Sequence, residues 1–82
     1  MWRPSTIILI GYAYTPLDSL RQEANEWASS YVNDPEGCWY EMRDWFNDEI
    51  LEDATPKDIA DGWQYGVKVT LNVDGTFIIE PN

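Results

Sequence analysis

The chain has no histidine and a single cysteine, Cys38. No internal disulfide can form, and the usual cysteine- and histidine-based zinc and haem ligand sets are missing. Ser-His and Cys-His nucleophilic catalysis are excluded with them. Positive charge is scarce too: five basic residues face fifteen acidic ones, for a formal net charge of −10. A surface that neutralises phosphates needs clustered Lys and Arg, so direct nucleic-acid binding is not expected. An anionic membrane surface is disfavoured for the same reason. The only dense apolar run, Thr6 to Tyr14, is nine residues long, whereas a bilayer span needs about 20. Arg3 is a weak basic start, and Pro16-Leu17-Asp18 follows the run instead of a small-residue cleavage box. A soluble, unprocessed cytoplasmic protein is the expectation, and a lone thiol suits a reducing compartment.

Nucleotide-cradling patterns are absent. None of the five glycines opens a helix in a Gly-rich phosphate loop, and all five read as turn, bulge or packing positions. Asn33-Asp34-Pro35-Glu36-Gly37 contains calcium-ligand residue types, but Pro35 and the spacing spoil an EF-hand loop. Weak divalent binding at Asp48, Glu49, Glu52 and Asp53 is conceivable from their proximity in sequence. Glycoside hydrolysis needs two carboxylates across a sugar cleft, and a chain of 82 residues offers little cleft. The expectation is a non-enzyme with no cofactor and no metal.

What is present is enough for one small folded domain over residues 1–82. Apolar residues make up 44% and aromatic residues 15%, too much for a disordered chain. Ser5 to Tyr14, rich in β-branched residues, reads as a strand covered on at least one face, with Gly11 and Ala13 permitting close approach. Thr15-Pro16-Leu17-Asp18 reads as a helix start with Thr15 as cap and Pro16 at the first helical position. Leu17, Leu20, Ala24, Trp27, Ala28 and Tyr31 then fall at three- and four-residue intervals, a core-facing stripe ending near Tyr31 or Val32.

A second helix is predicted from about Trp39 to Asp53, with Trp39, Met42, Phe46 and Ile50 inward. A strand over residues 37–42 followed by a shorter helix is the alternative. Thr55-Pro56-Lys57-Asp58 repeats the capped start and predicts a short helical turn ended by Gly62. Tyr65, Val67, Val69 and Leu71 alternate with polar or small residues, and Asp74-Gly75 signals a turn. A three-residue loop, Val73-Asp74-Gly75, places Leu71 opposite Phe77 and Val69 opposite Ile79, so one coherent face is buried. Glu80 to Asn82 reads as a short tail. The predicted fold is α+β and two-layered. A three-stranded, mainly antiparallel sheet in the order β-α-α-β-β carries two helices on one face.

Charge is distributed unevenly. Residues 34–61 hold ten acids and two bases, a net −8 of the total −10. Glu41, Asp44, Asp48 and Glu52 recur at helical spacing as a carboxylate row, with Trp45 beside it and Glu49 and Asp53 adjoining. Such a row can simply keep a small protein dissolved. It can also meet a positive surface and select partners. Basic grooves belong to proteins that handle nucleic acid, so carboxylates placed where phosphates sit can occupy them. Trp2, Trp39, Tyr40, Trp45 and Trp63 exceed what so small a core absorbs, and tryptophan anchors are common at interfaces.

In composition alone, the chain resembles small virus- or plasmid-encoded inhibitors of host defence or of nucleic-acid enzymes. No motif carries that resemblance. The expected function is an acidic module that binds and inhibits or regulates a basic, nucleic-acid-associated protein. The candidate contacts are Glu41, Asp44, Trp45, Asp48, Glu49, Glu52 and Asp53. The alternative is an accessory subunit of a homo- or hetero-oligomer, a homodimer included.

Overall fold

The computed structural model describes residues 5–31 and 33–82. Trp2, Arg3 and Val32, which entered the expectations above, lie outside them. The elements follow the order β1 (Ile7–Ala13), α1 (Leu17–Ser29), α2 (Pro35–Glu49), α3 (Pro56–Ala60), β2 (Tyr65–Leu71) and β3 (Phe77–Pro81). The strands form one antiparallel sheet in the order β1-β2-β3. The two long helices pack on one face of it, α1 towards β3 and α2 over β2 and β1. This is the two-layer α+β architecture that the sequence predicts.

The core lies where the two layers meet. Leu20 and Ala24 of α1, Met42 and Phe46 of α2, and Val67, Val69 and Leu71 of β2 are completely buried. Alternation fixes which strand residues take part. In β2 the odd positions face the helices, while Lys68 and Thr70 lie on the open side. The hairpin has the register set by one coherent apolar face: Leu71 opposes Phe77 and Val69 opposes Ile79. Asn72 closes the loop by donating its N–H to the Thr76 carbonyl at 2.8 Å.

The last strand runs further than expected and takes in Glu80 and Pro81. Ladder direction explains why proline is tolerated there. Asn82 donates to the Gly66 carbonyl, so its neighbour Pro81 turns its backbone to the outer edge. There the missing N–H breaks no sheet bond.

Helix boundaries required larger corrections. The second helix starts at Pro35 and ends at Glu49, four residues earlier at each end than predicted. The turn-forming cluster before it is the helix start itself. Asp34 is the cap, its Oδ1 accepts from the Gly37 N–H at 2.9 Å, and Pro35 occupies the first turn. Residues 37–42 are therefore helical throughout, and the strand alternative does not form.

The early stop has a tertiary cause. Ile50 is extended, and Leu51 exchanges two N–H···O bonds of 2.8 Å with Tyr12 of β1. A Cβ on Gly11 would collide with the Leu51 carbonyl. The close approach expected at Gly11 is thus made by the segment leaving α2.

The first helix ends at Ser29, with Ser30 as its cap, short of Tyr31. Its start is also displaced. Pro16 is the capping residue, with no side-chain cap bond, and Thr15 does not cap. Asp18 is engaged instead by Arg21, whose Nη1 donates to it at 2.8 Å. Nε and Nη2 of Arg21 donate to the Ile79 carbonyl at 2.9 and 2.7 Å. This fixes α1 to β3 and covers part of the outer sheet edge. Among the described residues, no helix is long and apolar enough to cross a membrane.

Candidate functional site

Ending α2 at Glu49 divides the predicted carboxylate row. Glu41, Asp44 and Asp48 are exposed on the helix, at the intervals that stack side chains along one flank. Glu52 and Asp53, also exposed, fall on the irregular segment beyond Leu51 and leave the row. Among the described residues, no group of three or more Asp, Glu, Cys or His side chains converges to hold a metal ion. The weak divalent cluster conceived for Asp48, Glu49, Glu52 and Asp53 is not assembled, because the helix stops between its two halves.

Trp45 and Glu49 lie elsewhere than on that exposed row. They turn towards α1 and join Glu23, Glu26, Trp27 and Ser30 in an open groove of about 490 Å³ between the two helices. Trp45 is half-buried against the core and leans on Phe46, with ring centroids 4.9 Å apart. Trp27, expected inside the core, is only partly buried. It packs against the core and also lines the groove. It stacks on Tyr31 with ring planes 5° apart. A strip of aromatic surface thus runs along α1 towards its C-terminal end.

Electrostatics link the two helices across this groove. Burial raises the Glu49 carboxyl above its usual range, and the charges of Glu23 and then Asp48 push it further. Tyr31 at the far end is shifted the same way, by desolvation first and then by Glu41. The charge of Glu41 is thus felt at Tyr31, beyond α1, and that of Glu23 at Glu49 across the groove. Sequence reasoning missed Glu23 and Glu26, which lie off the apolar stripe of α1. Their spacing of three was legible, but which helix they would face was not.

Among the described residues, the two arginines and Lys68 are already engaged. Arg21 is held by Asp18 and the Ile79 carbonyl. Arg43 donates to Asp44 at 3.1 and 3.2 Å, and its guanidinium carbon lies 5.0 and 5.5 Å from the ring centres of Tyr40 and Trp39. Lys68 is 3.8 Å from Glu80 on the opposite face. Trp39 is buried, so it does not belong to the aromatic surplus, whereas Trp63 is exposed near the start of β2.

The other face of the sheet has a different character. Ile8, Ile10 and Ile78 are more than half exposed there, beside the Lys68–Glu80 pair. Comparison of the chain with protein-family models, with curated proteins and with solved structures found no match. Its chemistry is therefore read from the two faces themselves.

Proposed function

We propose that the protein is a non-enzymatic acidic binding module that inhibits or regulates a basic, nucleic-acid-associated protein in the cytoplasm. One observation carries this reading. The helical layer presents Glu23, Glu26 and Glu49 around two accessible indoles and Glu41, Asp44 and Asp48 as an exposed row on α2, while both of its arginines are tied up internally. Carboxylates that outnumber the bases beside them, around an aromatic anchor, suit a partner bearing Lys and Arg. Steering by the net charge of −10 favours the encounter. Carboxylates offered to a basic groove stand where phosphates would, so binding competes with nucleic acid for that groove.

The test starts by capturing partners from the source cells with this chain. The captured basic protein is then titrated with the pure protein in the presence and absence of nucleic acid. Changing Asp44 and Asp48 together to Lys should lower affinity at least tenfold, about 1.4 kcal/mol, with the circular dichroism spectrum unchanged. Unaltered affinity in the folded double variant would remove the acidic face from the interaction.

A second reading has its own support. The exposed Ile8, Ile10 and Ile78 make an apolar patch on the open sheet face, and an oligomer would cover it. Under that reading the protein is an accessory subunit, and its association resists salt.

A further inference from the structure

The groove between α1 and α2 differs from the rest of the acidic surface. Elsewhere on α2, Glu41, Asp44 and Asp48 form an exposed row in which Asp44 is paired with Arg43. In the groove, three of them surround two indoles within one concavity of about 490 Å³. Trp45 packs on Phe46 and Trp27 stacks on Tyr31, so each indole has an aromatic neighbour within the chain. Among the described residues, no basic side chain lines the groove. The two arginines of the helical layer are engaged elsewhere, one at the β3 edge and one above Trp39 and Tyr40.

Indole faces attract cations through the ring quadrupole, and carboxylates supply the counter-charge. A guanidinium satisfies both at once, because it is flat enough to stack and its forked donors match a carboxylate edge. An ammonium would gain the charge but not the stacking. A neutral or anionic ligand would leave Glu23, Glu26 and Glu49 facing one another uncompensated. The charge arrangement therefore selects the occupant, and the open shape suits a side chain reaching in from another chain.

We propose that the groove is an arginine-binding site, in which Trp27 and Trp45 take the flat face of a partner's guanidinium and Glu23, Glu26 and Glu49 accept its N–H donors. The proposal rests on the acidic-module reading and locates its specific contact away from Asp44 and Asp48. The raised carboxyl of Glu49 agrees with it: burial is the first cause, and the repulsion by Glu23 and Asp48 that adds to it is what a cation entering the groove would relieve.

The test uses the full chain and a capped hexa-arginine peptide, with hexa-lysine as comparison, followed by calorimetry and by the indole N–H signals in NMR. Two double variants remove equal charge. Glu23→Gln with Glu49→Gln alters the groove, and Asp44→Asn with Asp48→Asn alters the exposed row. The groove pair should lose at least about tenfold in affinity and the exposed pair less than about threefold, because a direct contact outweighs a screened distant charge. Hexa-arginine should bind more tightly than hexa-lysine and shift the Trp27 and Trp45 indole signals.

Trp45→Leu should add a loss that persists at high salt. The glutamine pair keeps the test decisive should that variant fold poorly. Equal losses from the two double variants would overturn the groove site while leaving a diffuse acidic surface in place. Equal binding of the two peptides would overturn the choice of guanidinium. Absence of binding of either peptide to the wild-type protein would overturn both the groove and the acidic-module reading.

Discussion

The hairpin loop shows how one residue's backbone sets a register. Gly75 has φ +88°, a conformation that costs a β-branched residue dearly. Space is not the constraint, since a Cβ there would meet only the Cys38 sulfur at an ordinary 3.8 Å. The loop's side chains support the same geometry. Asp74 accepts from the Thr76 hydroxyl at 2.6 Å and from its N–H at 3.0 Å, which lowers the Asp74 carboxyl below the usual range. Asn72 Nδ2 donates to the Thr76 hydroxyl oxygen at 3.0 Å. Gly75→Val should therefore destabilise the fold by more than about 1 kcal/mol through backbone strain alone. Chemical denaturation measures it. A variant as stable as wild type would show that the loop has relaxed into another turn.

At the scale of elements, two nearly identical signals give different outcomes. Thr55-Pro56-Lys57-Asp58 makes the predicted cap: the Thr55 hydroxyl accepts from the Asp58 N–H at 3.1 Å. Thr15-Pro16-Leu17-Asp18 does not, because α1 begins one residue later and Arg21 takes Asp18. Arg21 is there because the Ile79 carbonyl holds it from 58 residues away. Thr55→Ala should cost about 1 kcal/mol as a lost cap, and Thr15→Ala within about 0.5 kcal/mol, read from paired denaturation curves. Equal costs would contradict the difference in capping.

The same distinction governs how much the sequence revealed. The strands, the hairpin register and the inward faces followed from alternation and one turn, which are local. The end of α2 depended on Leu51 pairing with Tyr12, a contact no local pattern announces. The acidic row lost Glu52 for that reason. Trp45 and Glu49 gained Glu23 and Trp27 as neighbours because the packing of two helices was decided by the sheet beneath them.

The whole molecule carries a net charge of −10, with the groove acids on its helical side and the Ile8, Ile10 and Ile78 patch on the other. These two faces respond oppositely to salt, and that separates the proposed roles. Carboxylates crowded on α1 and α2 repel one another in the isolated chain. Ions screen charges beyond about 10 Å at 0.1 M salt. Raising sodium chloride should therefore stabilise the isolated protein, by a few degrees in Tm if the relief is about 1 kcal/mol. The same screening should weaken the complex with a basic partner by about tenfold or more across that range, because the attraction lost lies between the partners. Association through the open sheet face would behave otherwise. Burying apolar surface is not weakened by screening and is strengthened by sulfate. Thermal melts and binding isotherms in parallel salt series give the answer. A rising Tm with falling affinity supports the acidic face as the functional surface. Binding that holds or tightens with salt would transfer that role to the sheet.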